Sequence, residues 1–205
     1  MKKQLKRGYR ISKYVVYKET LIEPSELFWS FLGSFCGIAT IGLIQSYYLT
    51  PSDNILLIGS FGATSVLIYG AIQSPLAQPR NLIAGHLISA FIGVSIFHIL
   101  GDILWLAAAL AVSLSIIAMQ ISKTLHPPGG ATALIAVVGS EKITDLSYGY
   151  IFFPVLSGLT IMLLLALVFN NITPNRKYPT DDKFSRSFKW MVTPAKSKIQ
   201  KLRNK

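Results

Sequence analysis

The chain has 205 residues, of which 51% are hydrophobic and only 14% charged, well below the roughly one quarter charged that soluble domains carry. Seven Lys/Arg precede Phe28 and ten follow Phe169, and the only charged residues between are Asp53, Arg80, Asp102, Lys123, Glu141, Lys142 and Asp145. That segregation excludes a soluble core, whose amphipathic elements would each carry charge. It also assigns the net charge of +11 to anionic lipid headgroups at the basic flanks and argues against nucleic acid as a partner.

The elements, in chain order, begin with a basic cytoplasmic segment, residues 1–26, broken by charge and unlike a secretory signal. The portion 27–169 is the transmembrane region. Leu27 to Leu49 is long enough to span about 30 Å of hydrocarbon, with Ser25 after Pro24 as its expected cap. Ile55 to Gln73 follows, interrupted at Gly59-Ser60-Phe61-Gly62, then Leu82 to Leu100 and Ile103 to Ile121. Ala131 to Gly139 is a short apolar piece behind Pro127-Pro128-Gly129-Gly130, and Tyr148 to Phe169 is the last run. The tail 170–205 is basic; Asp181 to Met191 mixes Phe184, Phe188 and Trp190 with cations, which fits either an interfacial helix or a disordered segment. Cys36 is the single cysteine, so no intrachain disulfide forms.

Six membrane elements bring both basic termini to the cytoplasmic side of a cell membrane. Arg80 and Lys123 then fall inside and Asp53, Asp102, Glu141 and Asp145 outside, so that every internal basic residue except Lys142 follows the Lys/Arg bias. Four crossings with the second and fifth elements re-entrant also leave the termini inside, but put Arg80 and Asp53 on one side.

Gly62-Ala63-Thr64-Ser65 resembles Gly130-Ala131-Thr132-Ala133, 68 positions later. The offset superimposes elements one to three (about 34–101) on four to six (about 102–169). The expected fold is therefore an all-α membrane protein with a 3+3 inverted repeat containing two Gly/Pro-broken elements. Broken backbone at membrane depth is tolerated where it lines a cavity, and paired broken segments point to a transport site.

Glycines ahead of short helix starts leave N–H donors and positive dipole ends that favour an anion. Thr64, Ser65 and Thr132 add hydroxyls. The expected substrate-binding set is Gly62, Ala63, Thr64, Ser65, His126, Pro127, Pro128, Gly129, Gly130, Ala131 and Thr132. Simple close packing of small residues is the alternative. His126 either carries a proton or is a structural hydrogen-bond partner. In the inside loop Ser74 to Asn81, Gln78, Arg80 and Asn81, with His86 beyond, are expected at a cytoplasmic mouth. There Arg80 either draws in anions or anchors the loop. The histidines lack metal-ligand spacing, no cofactor is implied, and the acidic residues sit in loops, which counts against an enzyme. Gly33 and Gly37 with Ala39 allow helix pairing, within one chain or between copies.

His126-Pro127-Pro128-Gly129-Gly130-Ala131-Thr132-Ala133-Leu134 resembles the signature of the HPP family of integral membrane proteins. Ser74 to Asn81 followed by Gly85-His86, and Gly62 to Ser65, resemble its other characteristic stretches. The family includes chloroplast nitrite transporters, so the resemblance implies nitrite or a similar small anion as substrate. It also implies fewer spans than six. A rival expectation is a membrane sensor or scaffold that recruits a partner through its tails.

Overall fold

The computed structural model of the chain describes residues 23–48, 56–173 and 176–180. The expectations for residues 1–22, for Asp53 and for an interfacial helix after Asp181 lie outside them.

Helix α1 (Pro24–Tyr48) starts on its proline, whose preset φ and missing N–H suit a first helical position. Ser25 is thus inside the first turn instead of capping it. Helix α2 (Gly59–Ser65) runs into a π turn (Val66–Gly70), where the Ala71 N–H is shared between the carbonyls of Val66 and Leu67. After a 3₁₀ turn (Pro75–Ala77) come α3 (Pro79–Leu100), α4 (Leu104–Ile121) and α5 (Pro127–Val138). A one-turn α6 (Glu141–Thr144) and a π-helical stretch (Ile151–Leu156) lead into α7 (Ser157–Phe169). The last run was expected as an unbroken span, but Phe153 is extended in front of Pro154 (φ −134°, ψ 120°). A proline ring disfavours helical backbone in the residue before it.

The described residues are helical without strands, and four of their helices are long and apolar enough to cross a membrane: α1, α3, α4 and Ile151–Phe169. The second element is shorter than the apolar run that encodes it, and the fifth, though it starts four residues before its apolar run, is also short. Helix α5 has 12 residues, roughly 18 Å at 1.5 Å per residue, against about 30 Å of hydrocarbon.

Hydrogen bonds between distant elements fix which ends lie together. Arg176, beyond α7, reaches Glu26 of α1 and the Tyr69 carbonyl at the end of the π turn. The Tyr178 hydroxyl donates to the Ala77 carbonyl just before α3 (2.7 Å). Arg80 and Asn81 donate to the carbonyls of Ser122 and Leu125, between α4 and α5. At the opposite end His98 meets Ser147 (2.7 Å), and the Leu56 N–H donates to Gln45 near the end of α1. The chain therefore returns to the end where α1 begins before α3 starts. It does so again before α5 starts and after α7 ends.

Close helix approach depends on small residues, because lipid tails remove most of the hydrophobic incentive for helices to associate. Gly85, Ser89 and Gly93 form one buried stripe on α3. A Cβ at Gly85 would lie 2.7 Å from the Cβ of His126, and one at Gly93 would lie 2.6 Å from the Ala133 carbonyl oxygen. The matching stripe on α4 is Ala107, Ala111 and Ser115. Gly33 and Gly37 receive the side chain of Tyr69, whose ring would sit 2.7 Å from a Cβ added at Gly33 and whose hydroxyl oxygen would sit 2.6 Å from one at Gly37. That glycine face is used within the chain.

Candidate functional site

A short hydrogen-bonded chain of four side chains joins the two broken elements. Thr64 of α2 and Thr132 of α5, the residues paired by the internal similarity, both bond one ring, that of His86 on α3. Thr64 Oγ1 lies 2.8 Å from His86 Nε2, and Thr132 Oγ1 lies 2.6 Å from His86 Nδ1. His126, which caps α5, stands beside them with its ring centroid 4.9 Å from that of His86. Its Nε2 is 3.4 Å from Thr64 Oγ1, and its Nδ1 is 2.7 Å from the Leu76 carbonyl oxygen. All four residues are fully buried.

Local sequence explains how these groups converge. Ser60 and Thr64 are four apart, hence on one face of α2. Gly85 removes the side chain that would push His126 away, and Gly129 lets α5 approach Ser89, whose Oγ would be 2.8 Å from an added Cβ. The edge of the Phe61 ring packs on His86 (6.3 Å between centroids). Gly158 of α7 makes room for Phe61, since an added Cβ there would overlap the ring.

Hydrogen bonding constrains the protons. A carbonyl only accepts, so His126 Nδ1 carries hydrogen, and in the neutral ring Nε2 is an acceptor. The Thr64 hydroxyl is 2.9 Å from the Ser60 carbonyl. Donating there, it accepts from His86 Nε2–H, and Thr132 donates to His86 Nδ1. The Ser60 hydroxyl is buried without a hydrogen bond, an exception to the usual pairing of buried polar groups.

The other expected residues are distributed differently. Gly62 and Ala63 are exposed, and Gly62 and Ser65 line a groove of about 700 Å³ between α2 and Phe31, Phe35 and Ile38 of α1. Neither glycine motif precedes its helix: α2 starts at Gly59 and α5 at Pro127, so Gly62, Gly129 and Gly130 are helical. The expected free N–H groups at the start of α5 are few. Pro127 and Pro128 have none, and Gly129 N–H donates to the His126 carbonyl (2.8 Å). Pro128 and Gly129 are buried, Pro127 is exposed, and Gly130 and Ala131 are half-buried.

His86 was expected with Arg80 at a mouth. It lies seven residues into α3, roughly 10 Å deeper than Pro79. Arg80 is exposed on the Ser122 carbonyl (3.0 Å), Asn81 donates to the Leu125 carbonyl (2.8 Å), and Gln78 donates to the Ile72 and Ser74 carbonyls. These three tie loops together. Ser60 and Tyr150, whose hydroxyl donates to the Thr132 carbonyl, escaped the sequence reading. The Ser60-to-Thr64 spacing was the available signal for Ser60.

The family model for the HPP transmembrane region matches residues 19–179. The chain belongs to the HPP family. Two transmembrane proteins of Dictyostelium discoideum are each 49% identical to this HPP protein over 158 residues, 75% of its length. The matched segment covers 50% of one relative and 55% of the other, so this HPP protein spans about half the length of the relatives it matches. No solved structure matches it.

Proposed function

We propose that this multi-pass membrane protein is a non-enzymatic carrier or channel for small monovalent anions, nitrite foremost. One observation carries the reading: the two threonines of the internal similarity, on separate short helices, converge on a single buried histidine. Polar side chains at membrane depth are costly, and they characteristically mark a permeation path. The substrate would contact the buried cluster of Ser60, Thr64, His86, His126 and Thr132, polar side chains that take the place of the helix N-termini expected from sequence.

Six crossing elements in a 3+3 inverted repeat are part of the same proposal. It is supported by the return of the chain to the Glu26 end before α3 and by the long, short, long order of elements that occurs in each half. The proposed setting is the cytoplasmic membrane with both termini inside and the basic flanks against anionic lipid.

The test is uptake into liposomes containing the purified protein, comparing nitrite with nitrate, formate and chloride. Saturable nitrite flux that falls at least about tenfold in a folded His86→Ala variant, roughly the 1.4 kcal/mol expected of one lost hydrogen bond in binding, supports the reading. No flux of any of these anions would overturn it and leave the sensor, whose tails recruit a partner. That alternative has the C-terminal segment on its side, because Arg176 and Tyr178 bind the tail to the membrane core.

A further inference from the structure

Resting on that reading, we infer that the histidine pair takes up one proton with each anion, so that the site is loaded as a neutral proton–anion pair. The argument starts from what surrounds the rings. Helix α2 brings Ser60, Phe61 and Thr64, and α5 brings Thr132; neither helix contains a charged residue, nor does α4. On α3 the only Lys or Arg is Arg80, exposed and bonded to the Ser122 carbonyl. Lys123, in the turn before His126, is also exposed. From the last membrane element the titratable group is Tyr150, which donates to a backbone carbonyl. Tyr178, behind the Leu76 loop, does the same. The described acidic residues nearest in sequence, Asp102, Glu141 and Asp145, follow the His98 end of α3 or precede Ser147 at that same end.

No carboxylate among the described residues faces either imidazole. A proton added to the pair is then a buried positive charge without a partner, which is strongly disfavoured in a medium of low dielectric. A buried anion without a partner is disfavoured for the same reason. Each removes the obstacle to the other, so the two bind with positive linkage, and the linkage is reciprocal. With the ring centroids 4.9 Å apart, a second proton would meet like charge. The stoichiometry is therefore one.

The geometry assigns the proton to His126 Nε2. His126 Nδ1–H is committed to the Leu76 carbonyl, and both nitrogens of His86 have partners at 2.8 Å or closer. His126 Nε2 has only the 3.4 Å contact with Thr64. The unpaired Ser60 hydroxyl, on the same face of α2 as Thr64, is the second donor open to the anion. Binding forms one N–H bond at Nε2 as a hydronium ion gives up its proton, and no bond of the anion changes: the anion passes from water to the Nε2–H and Ser60 donors, and on release the N–H bond breaks, the proton returns to water and both leave together.

The experiment is calorimetric titration of the purified full chain with nitrite in two buffers of different ionisation enthalpy, paired with liposome flux at clamped membrane potential. The expected result is about one proton taken up per anion bound, with flux driven by a pH gradient and indifferent to potential. Both His126→Gln and His126→Asn, the latter keeping a donor toward the Leu76 carbonyl, should lose the proton uptake while remaining monodisperse. Anion binding and flux without proton uptake, or flux that follows the potential, would overturn this inference and leave the transport reading standing. Proton uptake that survives both His126 variants would overturn the assignment to Nε2. The absence of both binding and flux would overturn the transport reading and the inference with it.

Discussion

The Arg176 guanidinium lies 2.7 Å from a carboxylate oxygen of Glu26, 150 residues earlier in the chain. Arg176 is 1% exposed, and its other terminal nitrogen donates to the Tyr69 carbonyl and to Asn170 Oδ1, both at 2.8 Å. Asn170 in turn donates to the Ile68 carbonyl (2.7 Å). Carbonyls at a helix end have no partner in the helix. Arg176 and Asn170 supply those partners where the π turn stops.

Arg176→Met is accordingly expected to destabilise the protein by about 1–3 kcal/mol, since it leaves Asn170 Oδ1 and the half-buried Glu26 carboxylate without their donor, whereas the Tyr69 carbonyl keeps the Ser30 hydroxyl at 2.8 Å. Glu26→Gln keeps an acceptor for Arg176 and should cost less. Thermal unfolding in detergent, followed by size-exclusion chromatography, measures both. Equal losses would show that the charge pairing matters more than the capped carbonyls.

The two adjacent glycines of α5 should respond oppositely. A Cβ at Gly129 would lie 2.8 Å from Ser89 Oγ, 3.0 Å from the Gly85 carbonyl oxygen and 3.0 Å from Met119 Sδ, whereas at Gly130 the first neighbour is Val112 Cγ1 at 3.8 Å. Gly129→Ala is expected to cost about 1–3 kcal/mol through overpacking. Gly130→Ala should be neutral or slightly stabilising, because alanine favours helix over glycine. Unfolding midpoints of the two variants decide it, and a larger loss at Gly130 would refute the described seating of α5 on α3.

How much of this was legible follows from what kind of signal each feature leaves. The four long helices were readable because twenty apolar residues without charge have few other uses. The starts of α2 and α5 were misread by several residues. In the sequence the glycines suggest breaks ahead of each helix, but Phe61 N–H already bonds the Ile58 carbonyl (3.0 Å), and Pro127 opens α5 in the position proline favours. Thr64 and Thr132 were found because the repeat marked them. His86 was seen but set at the wrong depth, since one histidine in an apolar helix carries no periodicity of its own. The small-residue stripe Gly85, Ser89, Gly93 could have turned that face inward. Arg176 was counted with the basic tail, as nothing local distinguishes a cation whose partner is 150 residues away.

Tyr178 gives the C-terminal segment a pH limit. Its fully buried hydroxyl donates to the Ala77 carbonyl, and burial pushes the phenol up from its ordinary value of 10.0, with Tyr69 adding to the shift. A group whose folded value is raised contributes stability fully below its unfolded value and loses it as pH rises beyond. Thermal stability should therefore be insensitive to Tyr178 ionisation up to about pH 10 and decline above it. Tyr178→Phe should start lower by about 1 kcal/mol for the lost hydrogen bond and decline less steeply. A parallel decline in both proteins would exclude Tyr178 as a contributor.

Thr64 and Thr132 supply the most discriminating pair of substitutions, because both act through the same ring. Valine matches threonine in shape while removing its hydroxyl, so each single change removes one hydrogen bond to His86, together with the Ser60 carbonyl bond in the case of Thr64. Under the anion-transport proposal, Thr64→Val and Thr132→Val should each weaken nitrite binding, by about 1 kcal/mol or roughly fivefold. The double variant should lose less than the sum. Once one side of His86 is unpaired the ring is free to rotate, and the second threonine no longer holds it in position. Residues that share a partner show interaction energies of about 0.5–3 kcal/mol in such cycles. Binding constants for the four proteins, from one titration series, provide the test. Strict additivity would mean that the two hydroxyls act independently, and the convergence of the two short helices on His86 would then be a packing arrangement without a joint role in binding.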